Sequence, residues 1–218
     1  MPDIKPTLIY VYDPLCGWCY GFHPVMEKIE KRFGDRVSID VKVGGLAIGE
    51  RAQPIKDGYS YIRDGLKQVE ESTGVEFGRN FKLLAEEGSY MYDSMPPCRA
   101  QKTMCKLSPG EALTFAGELQ NAIFRDGKDL NQWSTYEELI QDFDVDPDRF
   151  KTMFESDGIK NELIDEFQWC RKHGADGFPA LLIQIENDTS LMARGYRPYD
   201  TVESHLHHLV NNLERIRS

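Results

Sequence analysis

Two cysteines three residues apart, Cys16 and Cys19 in Cys16-Gly17-Trp18-Cys19, are the side chains best equipped for chemistry. Residues three apart on a helix are surface neighbours. The reactive form of cysteine is the thiolate, which is scarce in a free thiol at neutral pH. The unpaired N–H groups and dipole at a helix N-terminus favour that anion. If the pair opens a helix, Cys16 sits at the tip as the attacking sulfur, and Cys19 lies one turn further in. Attack by Cys16 on a disulfide gives a mixed disulfide. Attack by Cys19 on Cys16 then releases reduced substrate and leaves Cys16–Cys19 oxidised. The reverse sequence donates the disulfide.

The chain has five cysteines. Cys98 and Cys105 lie between Pro96-Pro97, a plausible helix start, and a stop at Ser108-Pro109. Seven residues of helix rise about 10.5 Å, beyond the roughly 7 Å a disulfide tolerates between Cα atoms. These two are expected to share one face as small buried hydrophobes. Cys170 falls on an apolar stripe with Ile159, Leu163 and Phe167, so burial is expected there too. A structural zinc site usually adds a second close cysteine pair or two suitably spaced histidines. Cys98 and Cys105 are too widely spaced, and His205, His207 and His208 cluster on a predicted helix. No metal is expected.

The elements around the pair must present it. Thr7–Tyr12 is an uninterrupted β-rich run suited to a central strand. After the pair, Trp18, Phe22, Val25, Met26, Ile29 and Phe33 repeat at helical spacing until Gly34. Residues 36–43 alternate as a half-buried strand. From about 57 to 174 the pattern is helical, with two expected capping boxes, Ser108–Glu111 and Ser134–Glu137. Gly177-Phe178-Pro179 leads into a strand over 180–185, a turn over 186–189 and a strand over 191–194. Val202, Leu206, Leu209, Leu213 and Ile216 form the stripe of a last helix. Strands from both chain ends must share one sheet, which predicts an α/β fold. The expected organisation is a discontinuous unit of residues 1–56 and 175–218, with 57–174 as an all-helical insertion.

The chain has 218 residues, 40% hydrophobic and 28% charged, an ordinary globular mixture. Its net charge of −10 argues against nucleic acid as a partner. Of its 36 acidic and 26 basic residues, 23 and 12 fall in 57–170, so the acidity is concentrated in the middle. No apolar run approaches the roughly 20 residues of a membrane helix. Met1-Pro2-Asp3-Ile4-Lys5-Pro6 lacks the features of a signal peptide. A cytoplasmic protein with no membrane partner is expected.

This order of elements, with Cys-x-x-Cys between the first strand and first helix, resembles the thioredoxin fold. The helical insertion narrows the likeness to the DsbA-like family. Tyr12-Asp13-Pro14-Leu15-Cys16-Gly17-Trp18-Cys19-Tyr20-Gly21-Phe22 is similar to its cytosolic branch, described as predicted protein-disulfide isomerases. Pro24 stands where thioredoxins kink their first helix, and Gly177-Phe178-Pro179 matches the family's cis-proline loop. The resemblance implies a thiol–disulfide oxidoreductase or isomerase with Cys16 and Cys19 catalytic. A cis Pro179 would expose the Phe178 backbone beside Cys16 for a peptide to pair with as an added strand. Trp18 and Phe178 would supply apolar contact. The implied partners are a disulfide-containing protein or peptide and a thiol reductant, with no bound cofactor beyond glutathione or another thiol as redox partner. In a reducing compartment the pair would rest as a dithiol, so reduction or isomerisation is the expected direction.

Two features depart from the family. The position six before Cys16, often an acid that manages the second thiol's proton, is Tyr10. Water, Asp13 or His23 must then serve, although His23 reads as a solvated surface residue. The Gly17-Trp18 dipeptide leaves the redox potential open. Relatives of this fold also include glutathione transferases of the kappa class and 2-hydroxychromene-2-carboxylate isomerases, which typically carry serine at the Cys16 position. Others are adaptors that deliver substrates to a protease.

Overall fold

The computed structural model describes residues 5–217, with the side chains of residues 58–62, 214, 216 and 217 outside the described set. Met1–Ile4, used above to read the chain's start, and the Ile216 side chain, assigned to the last stripe, therefore lie outside the described residues.

Strand β1 (Thr7–Tyr12) is the spine. Leu8 through Tyr12 are at most 1% exposed, as an unbroken apolar run requires of a strand covered on both faces. β2 (Ser38–Val43) pairs with it in parallel, and β5 (Ala180–Ile185) antiparallel. β6 (Asp188–Arg194) completes a sheet of order β2-β1-β5-β6. Helix α1 (Gly17–Phe33) connects β1 to β2, burying Phe22, Met26, Ile29 and Phe33, with Pro24 on its exposed face. Helices α2 (Tyr59–Thr73), α3 (Arg79–Glu87), α4 (Met95–Leu107), α5 (Ala112–Phe124), α6 (Trp133–Leu139), α7 (Pro147–Glu155) and α8 (Asp157–Lys172) follow β2. The last helix, α9 (Tyr199–Arg217), returns its Val202–Leu206–Val210 stripe to the sheet core. A second core, built on Phe81, Phe115, Leu119 and Phe124, lies among the inserted helices, and Trp18 packs against both. The fold is thus α/β and thioredoxin-like.

Several local expectations are corrected. The middle region contains one strand, β4 (Met91–Tyr92), paired with β3 (Gln53–Pro54). β6 begins at Asp188, because Glu186 takes a positive φ of 54° and the chain reverses in two residues. Neither capping box forms. Ser108 makes no side-chain cap and a short 3₁₀ turn precedes α5, while α6 starts at Trp133 and so places Ser134 inside the helix. Among the described residues, side-chain caps come from Asp146, accepting from Arg149 N at 2.7 Å, and Ser156, accepting from Ile159 N at 3.2 Å.

Two of the three remaining cysteines, Cys105 and Cys170, line the outer edge of β2. Cys105 Sγ donates to Val41 O at 3.6 Å and Cys170 Sγ to Val43 O at 3.8 Å. Val43 N donates to Glu166 Oε1 at 2.9 Å, and Lys102 pairs with the other oxygen of that buried carboxylate. An edge strand needs such cover for its unpaired groups. Cys98 and Cys170 are buried as expected, and Cys105 is partly buried.

Candidate active site

β1 ends at Tyr12, and Asp13-Pro14-Leu15-Cys16 turns the chain into α1, with Cys16 N donating to Asp13 O at 3.0 Å. Cys16 is the N-cap residue, extended at φ −89° and ψ 111°. Its carbonyl accepts from Cys19 N at 2.9 Å and Tyr20 N at 3.1 Å. The N–H groups of Gly17 and Trp18 belong to the first turn, where no carbonyl four residues back lies within the helix. The Cys16 thiol therefore stands at the positive end of a 17-residue helix.

Both thiols are free, but their settings differ. Cys16 keeps 7% of its surface exposed, and Cys19 keeps none. Burial pushes the Cys19 thiol well up, the adjacent Cys16 sulfur pushes it further, and the Asp13 backbone N–H opposes the shift. Cys16 Sγ reaches Phe178 O at 3.7 Å, and the Phe178–Pro179 peptide is cis.

Cys16, Trp18 and Phe178 line a cleft of about 520 Å³ with Leu15, Leu46, Leu66 and Tyr92. Asp64, Gln68 and Asp176 give it a sparse polar margin. A second hollow of about 420 Å³, which includes Tyr196, shares Trp18 and Phe178. These two half-buried aromatics form a ridge between the hollows. Pro179 and Cys19 are buried, and neither lines the cleft. Three of the five residues singled out from sequence, Cys16, Trp18 and Phe178, thus line the cleft.

The proton-handling expectations change. His23 is not a solvated surface residue. It is 8% exposed and packed edge-on against Gly117 of α5, where an added Cβ would lie 2.3 Å from its Nε2. Burial holds it down at about 4, so its imidazole is neutral near pH 7. Tyr10 is fully buried, its hydroxyl 3.5 Å from Cys19 O, and burial pushes it well up. Asp13 is also fully buried. Its carboxylate accepts from Leu15 N, Leu46 N, Ser94 Oγ and Cys98 Sγ. Sequence reasoning missed Leu46, Tyr92 and Ser94, which reach the site from distant segments. Tyr92 Oη donates to Leu15 O.

A family model for the DSBA-like thioredoxin domain matches residues 7–207. The chain belongs to the DSBA-like thioredoxin domain family. A candidate protein disulfide isomerase from Nitrosomonas europaea superposes on this DSBA-like chain with a TM-score of 0.84 and 27% identity, covering 95% of this chain and 98% of that one. The cytosolic disulfide reductase DsbM from Pseudomonas aeruginosa, solved with GSH, shares its fold at a TM-score of 0.73 and 24% identity, covering 86% and 89% of the two chains. The ClpXP adapter protein SpxH from Halalkalibacterium halodurans is 22% identical over 202 residues, 89% of this chain and 65% of its own length. This DSBA-like chain therefore spans just under two thirds of that curated relative. Among the described residues no helix is long and apolar enough to cross a membrane.

Proposed function

We propose that this DSBA-like chain is a thiol–disulfide oxidoreductase acting on peptide or protein disulfides through Cys16 and Cys19, in the reducing or isomerising direction within the cytoplasm. The observation that carries the reading is the asymmetry of the pair. One sulfur is at a helix tip and open to a cleft, and the other is sealed one turn behind it. The Cys16 thiolate attacks a substrate disulfide, forming Cys16–S–S–substrate and expelling one substrate thiolate. Cys19 gives up its proton and attacks the Cys16 sulfur, expelling the second substrate thiolate. Two electrons pass from the dithiol to the substrate, and the substrate thiolates take up protons. A thiol such as glutathione returns the pair to the dithiol, two thiols becoming one disulfide. No bound cofactor is needed for this cycle.

In this reading residues 1–56 and 175–218 form the redox unit. The inserted residues 57–174 add one wall of the cleft through Leu66, Val69 and Phe124. Trp18 and Phe178 grip apolar side chains next to the substrate cysteine, and the Phe178 backbone ahead of Pro179 pairs with the substrate strand. The GSH bound to DsbM supports a small thiol as reductant.

The test is turnover of a fluorogenic peptide disulfide with glutathione as reductant. Wild type is expected to turn over and Cys16→Ser to be inactive. Equal rates for the two would refute the proposal. Glutathione transfer to an electrophile that survived Cys16→Ser would favour the transferase reading instead. Capture of an AAA+ protease by a Cys16→Ala/Cys19→Ala variant lacking turnover would favour an adaptor.

A further inference from the structure

Residues 173–179 carry the chain from α8 to β5, and Asp176, Gly177 and Phe178 border the cleft. Phe178 O stands 3.7 Å from Cys16 Sγ. Backbone bonds anchor this loop on either side of those three residues. Ala175, fully buried, donates to Cys170 O at 2.9 Å, and Pro179 O accepts from Gly195 N at 2.7 Å. Between the anchors the grip comes from side chains. The Arg194 guanidinium donates to the Asp176 carboxylate as an ion pair. The Arg194 stem lies across Gly177, where an added Cβ would sit 3.4 Å from its Cδ and 3.6 Å from its Cγ. The Phe178 ring rests on Gly44.

An irregularity in the sheet aims Arg194 at this loop. β5 and β6 keep one register from Ile185 opposite Asp188 to Leu182 opposite Leu191, and the register then shifts. Leu181 faces Ala193 and Ala180 faces Arg194, so Met192 is an extra residue in β6. In an unbroken ladder Ala193 would face Ala180, and a slip of one residue sends each following side chain to the other side of the sheet. Met192 and Ala193 both pack against the core that holds Phe22 and Met26, which two successive residues of a regular strand do not do. Arg194 is thereby turned to the face of Ala180, which packs with Ala175. Bulges beside active sites re-aim side chains in this way. Global stability does not account for the ion pair. Its side chains are 54% and 55% exposed, and exposed pairs contribute little.

We propose that Arg194, aimed by the β6 bulge, is a positioning residue for the substrate-facing loop. It holds residues 176–178 so that the Phe178 backbone is set to pair with a substrate strand beside Cys16. This role rests on the oxidoreductase reading above. A preset loop lowers the ordering cost of binding. It acts alike on bound substrate and transition state, so its loss is read in KM rather than kcat.

The test compares full-length wild type, Arg194→Met, Arg194→Lys, Asp176→Asn and the Arg194→Met/Asp176→Asn double variant. Steady-state kinetics use a peptide disulfide with glutathione as reductant. The ¹⁵N order parameters of Gly177 and Phe178 are measured on the reduced proteins without substrate. Arg194→Met and Asp176→Asn should each raise KM severalfold and leave kcat within about twofold, with urea midpoints close to wild type. The double variant should match the single ones, because each removes the same contact. Arg194→Lys, which keeps the charge, should recover part of the loss. The order parameters should fall from about 0.85, the level of rigid backbone, towards about 0.6 in Arg194→Met and Asp176→Asn. Unmoved order parameters in both overturn the grip on the loop. Lowered order parameters with an unmoved KM overturn its part in substrate binding. Wild type lacking exchange altogether would count against the oxidoreductase reading instead, because the order parameters are read without turnover.

Discussion

Gly44 follows β2 and lies against Phe178, so the ridge beside Cys16 can be moved from a distant segment. A Cβ at Gly44 would fall 1.9 Å from both Cε1 and Cζ of the Phe178 ring and 2.9 Å from Cδ1. Ordinary carbon–carbon contacts need about 3.5 Å, so in Gly44→Ala the ring must retreat by about 1.6 Å. It can do so, because it is half-buried and has a hollow on either side. The expected cost is that of overpacking, about 1–3 kcal/mol. Phe178→Ala removes the obstacle, so in that background Gly44→Ala should cost nearly nothing. The coupling between the two sites should equal most of the single-variant cost. Urea unfolding of the four proteins of this cycle measures it, with disulfide-exchange rates taken alongside. Gly44→Ala should also slow exchange with peptide disulfides, because Phe178 O faces the attacking sulfur. An equal Gly44→Ala cost with and without the Phe178 ring would refute the reasoning.

Three further outcomes are expected. His23 is held at about 4 by burial, against an ordinary value of 6.5, so the unfolded chain takes up this proton first. Stability should therefore fall as pH drops from about 6.5 to about 4, by about 3 kcal/mol for this group, and urea midpoints should show His23→Gln to lack that component. Lys102→Met leaves Glu166, its side chain 6% exposed, without its cation and should cost about 3–5 kcal/mol in chemical denaturation. Adding Glu166→Gln should recover most of that, since an amide oxygen can still accept from Val43 N. Trp18→Ala should raise KM for apolar peptide disulfides severalfold in steady-state kinetics, with little effect on a small hydrophilic disulfide, because Trp18 contributes contact rather than electrons.

What the sequence made legible was whatever repeats or stands in one short string. The run Thr7–Tyr12 has no polar break, so it reads as a central strand. The stripe from Trp18 to Phe33 places Cys16 at a helix tip without any knowledge of tertiary contacts. The paired strands at 53–54 and 91–92 carry no periodicity, since two residues cannot show one. The capping boxes at Ser108 and Ser134 failed because local chemistry was outvoted by packing. Each segment buries apolar side chains, Leu113 and Phe115 in one and Tyr136 in the other, and the helix starts follow that burial. By its polarity alone His23 reads as solvated, and nothing in the sequence pairs it with Gly117, the small residue that lets α5 approach. The donors around Asp13 come from positions 15, 46, 94 and 98, and only the folded chain brings them together.

The most direct measurement incubates Cys19→Ser with a peptide disulfide and maps the adduct by mass spectrometry. The account predicts a long-lived mixed disulfide on Cys16, and none at all in Cys16→Ser. Adducts on Cys98, Cys105 or Cys170 instead, or no adduct on Cys16, would contradict it.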